Sequence, residues 1–144
     1  MSDTGYAPLT RLHGRSIMPE GTYEITLYAK WIPIEAFDGT TMQKAIPIAE
    51  NTVVTVTTIS GLKYYRFVPT QTRSYTYRSY DGSAHVDTWG NIMDSNGTQL
   101  TYNDDGAGNS QFIMSYAMTA GTAYYLGARL YSQGAGGVFT IKIY

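Results

Sequence analysis

Apolar and polar residues alternate along most of this chain with the period of two that is typical of β-strands. The clearest case is Thr22–Trp31, where every second position from Tyr23 onward is apolar or aromatic. We predict a strand there with one buried face. The further β-rich runs are Thr52–Ile59, Lys63–Val68, Arg73–Ser79, Val86–Met93, Gln99–Tyr102, Gln111–Met118, Thr122–Tyr131 and Gly137–Tyr144.

Short glycine-containing segments separate these runs, and glycine suits turns that need a positive φ. They include Ser60-Gly61, Asn96-Gly97, Asp105-Gly106 and Ala120-Gly121. No segment of ten or more residues has a convincing helical period. Short strands at roughly ten-residue spacing are typical of a β-sandwich or barrel, so we predict an all-β fold.

The alternation is interrupted once, by Pro33 and by the segment Glu35–Lys44. Proline and turn residues of this kind are typical of a connection between modules. We therefore divide the chain into an N-terminal arm with a strand (residues 1–32), a connector (33–51) and a β-sandwich (52–144). A chain of 144 residues is long enough to bury a substantial core.

Composition narrows the class of function. A net charge of −1 argues against nucleic acid as a partner, because such proteins carry a clear basic excess. The chain has no cysteine, which excludes disulfides, thiolate metal sites and cysteine nucleophiles. No apolar run is long enough to cross a membrane, and Met1–Glu20 lacks the apolar core of an export signal. We expect no membrane insertion.

Acidic residues are concentrated in Ser79–Ala128, which holds five aspartates and no lysine or arginine. The densest part, Asn103–Ser110, is a glycine-bearing loop of oxygen donors, which are the ligands that calcium prefers. The alternative is a solvated hairpin loop whose Asp and Asn side chains accept local backbone hydrogen bonds. The candidate calcium ligands are Asp87, Asn103, Asp104, Asp105 and Asn109.

Aromatic residues supply a second candidate surface. Tyr80, Trp89 and Tyr102 lie near acidic or amide-rich turns, where their rings could form a platform for a carbohydrate. Strict alternation points Trp89 the same way as Asp87, so we expect it to be the most exposed ring of the three. The alternative is that most of the 14 tyrosines pack in the core or across strands.

Catalysis has little support. The two histidines, His13 and His85, are isolated, and no serine lies in a nucleophile-elbow context. The adjacent carboxylates of Asp104 and Asp105 normally point apart on a strand or turn. We therefore expect that the protein is not an enzyme.

A basic stretch could favour head-to-tail association with the acidic half of the chain, and solvated strand faces are the alternative. This stretch contains Lys63, Arg66, Arg73 and Arg78.

From Lys63 onward, several short motifs follow one another in the order and spacing of a known family. They are Tyr64-Tyr65-Arg66-Phe67, Ser74-Tyr75-Thr76-Tyr77, Asp87 followed by Ile92-Met93-Asp94-Ser95-Asn96-Gly97, Asn103-Asp104-Asp105, Phe112-Ile113-Met114, Ala120-Gly121-Thr122-Ala123-Tyr124-Tyr125-Leu126 and Gly137-Val138-Phe139-Thr140-Ile141. Residues 63–144 thereby resemble the bacterial pre-peptidase C-terminal domain family. The resemblance implies a jelly-roll-like antiparallel β-sandwich, appended to secreted proteases and other extracellular enzymes. Some relatives bind calcium, and some bind polymeric substrates.

The N-terminal part has a second resemblance. Ile17-Met18-Pro19 and the run Leu27-Tyr28-Ala29-Lys30-Trp31 are similar to the closing strand of the B-type repeat of internalin-like bacterial surface proteins. The resemblance covers residues 14–31, the final part of that small repeat. Together the two resemblances favour an extracellular protein built of several modules.

The leading hypothesis is a non-catalytic accessory module of a bacterial extracellular or cell-surface protein. It would bind a polymer or a neighbouring domain, with calcium bracing the fold. One alternative is a structural subunit of an assembly such as a phage decoration or fibre protein, for which virion assembly inside the host needs no export signal. A second alternative is a carbohydrate-binding module.

Overall fold

The structure is a computed structural model, and it describes residues 37–80, 86–132 and 136–144 together with the backbone of 6–13 and 24–30. The chain divides into two compact units, Met1–Ala36 and Phe37–Tyr144. In the described residues helical structure is confined to a 3-10 turn, Met42–Lys44. No helix among these residues is long and apolar enough to cross a membrane.

The first unit contains a two-stranded antiparallel sheet. Strand β1 is Tyr6–His13 and strand β2 is Glu24–Lys30. The strand predicted within Thr22–Trp31 is therefore confirmed. Strand β1 was not predicted, since Pro8 interrupts its alternation and the pairing register shifts between Pro8 and Thr10. The Ile17-Met18-Pro19 motif lies outside the described residues, and the resemblance of residues 14–31 to a B-type repeat stays a prediction.

The second unit is a β-sandwich of two sheets. The five-stranded sheet has the order β3-β5-β10-β7-β8, and the four-stranded sheet has the order β4-β11-β6-β9. All pairs are antiparallel except β3 with β5. The strands are β3 (Ile46–Pro47), β4 (Val54–Thr58), β5 (Lys63–Phe67), β6 (Arg73–Tyr80), β7 (Thr88–Met93), β8 (Gln99–Asn103), β9 (Ile113–Met118), β10 (Tyr124–Leu130) and β11 (Gly137–Ile143).

This architecture confirms the predicted all-β antiparallel sandwich. Every run that the alternation marked as a strand between Thr52 and Tyr144 contains one, from β4 to β11. Alternate residues of each strand point between the sheets, as period-two patterning requires. In β6, for example, Tyr75, Tyr77 and Ser79 are buried while their neighbours are partly or fully exposed.

Aromatic rings fill much of the space between the sheets. The rings of Phe67 and Tyr75 meet edge to face at 5.1 Å, and those of Tyr77 and Phe112 lie 4.8 Å apart. The Tyr77 hydroxyl donates to the carbonyl oxygen of Gly127 at 3.2 Å, so this buried polar group is satisfied. Several tyrosines are therefore core residues, as the packing alternative for the aromatic residues predicted.

Residues 37–51 belong to the sandwich, although we had assigned them to a connector over 33–51. Strand β3 pairs with β5, the Tyr64 amide donates to the Gly39 carbonyl oxygen at 2.8 Å, and the Asn51 amide donates to the Ile143 carbonyl oxygen at 2.7 Å. The side chains of Ala45 and Ile48, which lie in this segment, are buried. A two-residue strand that contains a proline is too short to produce a readable alternation, which is why the sequence pattern missed it.

Candidate functional site

The segment Asn103–Ser110, which we call the acidic loop, connects β8 of the five-stranded sheet to β9 of the four-stranded sheet. It is closed by its own backbone: the Gly108 amide donates to the Asp105 carbonyl oxygen at 2.9 Å, and the Gln111 amide donates to the Gly108 carbonyl oxygen at 3.0 Å. Asn109 has a φ of 52°, a left-handed conformation that asparagine tolerates better than most residues. The predicted loop is therefore an ordered tight turn.

Asn103 closes the base of this loop with its side chain. Its Oδ1 atom accepts hydrogen bonds from the amides of Gly106 at 2.7 Å and Ile113 at 3.1 Å. A Cβ atom at position 106 would lie 2.5 Å from the same oxygen, so the contact requires glycine there. Two donors already engage the Asn103 oxygen, which is the arrangement expected of a hydrogen-bonded turn.

Three carboxylates lie around the loop. Asp87 immediately precedes β7, and its pKa is raised by partial burial and then by the negative charges of Asp105 and Asp104. One Asp104 oxygen accepts from the Asp105 amide at 3.0 Å. The charges of Asp87, Asp104 and Asp105 thus act on one another, but no three His, Asp or Glu side chains in the described part of the chain are grouped to hold a metal. A calcium ion at this loop stays a prediction.

A buried polar network anchors the end of the loop to both sheets. The hydroxyls of Ser79 on β6 and Thr88 on β7 lie 2.7 Å apart, and the Ser79 oxygen accepts from the Phe112 amide at 3.0 Å. The Thr88 amide donates to the Ser110 carbonyl oxygen at 2.9 Å, and the Gln111 side-chain amide donates to the Val86 carbonyl oxygen at 2.7 Å. Sequence reasoning missed this network, because Ser79 and Thr88 look like ordinary alternating strand residues.

The outer face of the five-stranded sheet carries three side chains that stack in sequence, which we call the aromatic row: Arg129, Trp89 and Tyr102. The Arg129 guanidinium carbon lies 4.2 Å from the Trp89 ring centre. The rings of Trp89 and Tyr102 are 6.1 Å apart and inclined at 26°. Since β7 lies between β10 and β8, Arg129 and Tyr102 approach Trp89 from opposite sides. Partial burial lowers the pKa of Arg129, which nevertheless stays charged at neutral pH.

The structure thus brings together two of the three predicted platform residues. Tyr80 lies on β6 in the other sheet, with the Arg78 guanidinium 4.8 Å from its ring centre. Our expectation that Trp89 is the most exposed ring is wrong: Trp89 is only partly exposed, whereas Tyr102 is 60% exposed on edge strand β8. Alternation gave the correct direction for Trp89, but it contains no information on the cross-strand neighbour, Arg129, that covers the ring.

A buried polar contact lies beside the aromatic row. Asn91 on β7 faces Gly127 on β10, where a Cβ atom would lie 2.1 Å from the Asn91 amide oxygen. The Asn91 side chain therefore lies down over the glycine backbone, and its Nδ2 donates to the Gln99 side-chain oxygen at 3.1 Å. Asn91 is only 5% exposed, Gly127 is buried, and a Cβ atom at Gly127 would also lie 3.0 Å from the Leu62 side chain, so this part of the face is covered.

The basic stretch is divided between the two sheets. Lys63 and Arg66 lie on β5, while Arg73 and Arg78 lie on β6. Arg73 forms an ion pair with Glu50 and its guanidinium carbon lies 3.9 Å from the Tyr75 ring centre. The four basic residues are thus divided between the two sheets, and head-to-tail association with the acidic half stays a prediction.

Two clefts lie away from both candidate sites. One, of about 460 Å³, is lined by Thr40 and residues 57–63, and the other, of about 310 Å³, is lined by residues 47–50, 66–68 and Thr70. Neither includes a residue of the acidic loop or of the aromatic row.

No protein-family model matches this sequence, and no curated protein sequence matches it. Among solved structures, the pre-peptidase C-terminal domain of a collagenase from Bacillus anthracis superposes with a TM-score of 0.56 and 14% identity, over 69% of this chain and 94% of that domain. The sandwich has the fold of a pre-peptidase C-terminal domain. The predicted resemblance is confirmed in this respect, since 14% identity establishes the fold alone.

A second solved structure is a periplasmic inhibitor of g-type lysozyme from Aeromonas hydrophila. It superposes with a TM-score of 0.45 and 14% identity, over 69% of this chain and 96% of that chain. At this TM-score we draw no conclusion from the similarity.

Proposed function

We propose that this chain is a non-catalytic accessory module that binds an extracellular polymer on the outer face of its five-stranded sheet. The observation that carries the proposal is the aromatic row, in which Tyr102 is exposed beside the stacked pair of Trp89 and Arg129. The accessory role and the extracellular location are inferred from the predicted family resemblance, and the similarity of fold supports them.

The row is suited to a polymer because its geometry is fixed before any ligand arrives. One Arg129 nitrogen, Nη1, donates to the carbonyl oxygens of Leu130 and Tyr131, each at 2.9 Å. The guanidinium then holds one face of Trp89, and Trp89 supports Tyr102. A ligand that stacks on Tyr102 meets a ring that already contacts Trp89, which reduces the side-chain entropy lost on binding.

Two kinds of polymer present flat apolar rings to such a surface: polysaccharides and proline-rich fibrous proteins. The solved relative is a domain of a collagenase, an enzyme named for a fibrous protein. We therefore include both kinds of polymer in the test.

In this proposal a bound calcium ion would stabilise the folded protein and would not take part in polymer binding itself. Ionised Asp87 is destabilised first by partial burial and then by the charges of Asp105 and Asp104, and a bound cation would relieve the repulsion among the three carboxylates. The site would lie at the end of β8 that holds Asn103, next to Tyr102, and it would brace the surface that carries the row.

The test is a sedimentation binding assay with cellulose, chitin, xylan and collagen fibrils. We expect the wild-type chain to be depleted by at least one of these polymers, and Tyr102→Ala and Trp89→Ala to weaken that binding roughly fivefold to a hundredfold, as loss of about 1–3 kcal/mol per stacked ring implies. Tyr80→Ala is the matched control, because Tyr80 is a partly exposed tyrosine on the other sheet. Equal loss in the Tyr80 variant, or depletion by none of the four, rejects the proposed function.

A further inference from the structure

Strand β4 is an edge strand with an unusual composition. In the described part of the chain it pairs on one side only, with β11. All eight residues of Thr52–Ile59 are β-branched, and no charged residue occurs between Glu50 and Lys63. The pairing of Val54–Thr58 with β11 is regular, without a bulge. The exposed side of β4 is therefore a straight, uncharged edge of high β-propensity.

Edges of this kind are normally protected by charge, proline or a bulge, because their unpaired backbone groups accept another strand. The two edges of the five-stranded sheet follow this rule: β3 contains Pro47, and β8 is followed by Asp104 and Asp105. Strand β9, the other edge of the four-stranded sheet, is also uncharged, but its exposed residues are the small Ser115 and Ala117. Among the four edge strands of the sandwich, β4 alone combines an unprotected backbone with large exposed apolar side chains at its ends.

These apolar side chains lie at the two ends of β4. Val53 is 60% exposed and Ile59 is 86% exposed. Thr55 and Thr57 lie on the outer face of the four-stranded sheet, and Val53 directly precedes the strand while Ile59 directly follows it, at a bend. Val138 on β11, the direct partner of Thr57, is 52% exposed and lies on the same face.

We propose that β4 pairs antiparallel with β4 of a second copy of this chain, about a two-fold axis at Val56. In that register Val53 of one copy lies opposite Ile59 of the other, and Thr55 lies opposite Thr57. Directly opposed residues in antiparallel strands share a face, so each exposed apolar side chain is covered by the other. The two four-stranded sheets become one sheet of eight strands.

The chemistry of the edge favours a second copy over an unrelated strand. A two-fold axis at Val56 pairs each position of the edge with another position of the same short segment, and because Thr52–Ile59 is uncharged no pair in this register opposes like charges. The register of Val53 against Ile59 matches a large apolar residue with another at both ends of the contact. A single strand pair is smaller than a standard interface of roughly 800 Å² per partner, so we expect a dissociation constant on the order of micromolar.

The test is sedimentation velocity on the full chain between about 1 and 500 µM, a range that brackets the expected dissociation constant. We expect a monomer–dimer equilibrium that Val53→Glu and Ile59→Lys each weaken at least about tenfold, because each substitution introduces a charge against an apolar partner at both ends of the contact. The double variant, Val53→Glu with Ile59→Lys, opposes unlike charges in the proposed register and restores dimerisation. An equimolar mixture of the two single variants forms the mixed dimer.

Both substituted side chains are highly exposed, so the variants are expected to fold, and thermal melts check this. Val68→Lys, on the exposed segment after β5, is the matched control and leaves the dimer unchanged. A chain that stays monomeric over the whole range, a dimer that tolerates the single variants, or a double variant that remains monomeric overturns the proposal. The outcome is independent of polymer binding, because Tyr102→Ala alters the other sheet and keeps β4 intact.

Discussion

The guanidinium of Arg129 lies 4.2 Å from the ring centre of Trp89, its direct cross-strand partner on the outer face of the five-stranded sheet. The contact fixes the indole and leaves Tyr102 as the exposed end of the row. The contact between Arg129 and Trp89 therefore also orients the side chains of the proposed binding surface.

A double-mutant cycle measures this contact. We expect Arg129→Ala and Trp89→Ala to be coupled by about 0.5–1.5 kcal/mol in the free energy of unfolding, since a partly buried cation–π pair has this magnitude. Urea denaturation of the two single variants and the double variant gives the value. Arg66→Ala, on the neighbouring strand β5, is the control and should show no coupling with Trp89→Ala. Additive effects for Arg129 would show that the contact contributes nothing to stability.

The Ser79–Thr88 hydroxyl pair should contribute to stability because it is buried. Thr88→Val is expected to lower the free energy of unfolding by about 1–3 kcal/mol, since it removes one of the two hydrogen-bond partners of the buried Ser79 hydroxyl and leaves the Phe112 amide as the other. Thr76→Val is the matched control: Thr76 and Ser115 form a similar hydroxyl pair, 2.9 Å apart, on the exposed face of the same sheet as Ser79. We expect that change to stay within about 0.5 kcal/mol. Equal losses in chemical denaturation would argue against a special role for the buried network.

Calcium should raise the melting temperature if the acidic loop binds it, because a ligand that binds only the folded state stabilises that state. The expected rise at millimolar calcium disappears in the double variant Asp104→Ala, Asp105→Ala. Asp94→Asn keeps the shift, because Asp94 serves a different hairpin, where it accepts from the amides of Asn96 and Thr98. An unchanged melting temperature of the wild-type chain would reject the calcium site.

The pH dependence of stability should show opposite signs at Asp87 and Asp38. Burial, Asp105 and Asp104 raise the pKa of Asp87, so its favourable contribution is complete below the unfolded pKa of about 3.9 and is lost as pH rises through the folded pKa. Asp87→Asn should therefore raise the melting temperature at pH 7 in the presence of a chelator. The gain should disappear near pH 3.

Asp38 provides the reference for the opposite sign. Hydrogen bonds from the Thr40 hydroxyl and the Thr40 amide lower the pKa of Asp38, so its contribution is present above the unfolded pKa and is lost as pH falls through the folded pKa. Asp38→Asn should lower the melting temperature at pH 7 and have a diminishing effect in acid. Shifts of the same sign in both variants would contradict the assigned environments.

Much of the fold was readable in the sequence because the core lies between two sheets. Each strand from β4 to β11 must present one apolar face, and the resulting alternation marks its position, as in Tyr75, Tyr77 and Ser79. Strands β1 and β3 were not predicted from the sequence, because Pro8 and Pro47 interrupt the alternation of apolar and polar residues. The 3-10 turn at Met42–Lys44 has no buried residue and gave no signal of its own.

The candidate site was only partly readable, because its geometry depends on which strands are neighbours. Trp89, Tyr102 and Asp87 were selected by residue type, but the position of Arg129 over Trp89 follows from the pairing of β10 with β7. Tyr80 is a second example. Its sequence context grouped it with Trp89 and Tyr102, but the strand order places it on the other sheet. Alternation specifies the face of a residue, whereas strand order specifies its neighbours.

The most direct test of the proposed binding surface is a chemical-shift map of the backbone amides. Soluble probes are the hexasaccharides of glucose, xylose and N-acetylglucosamine and a collagen-like triple-helical peptide. We predict that at least one probe shifts amides around Trp89, Tyr102 and Arg129 and leaves those around Tyr80 on the four-stranded sheet unchanged. Shifts confined to the four-stranded sheet, or no shift with any of the four probes, would contradict the account.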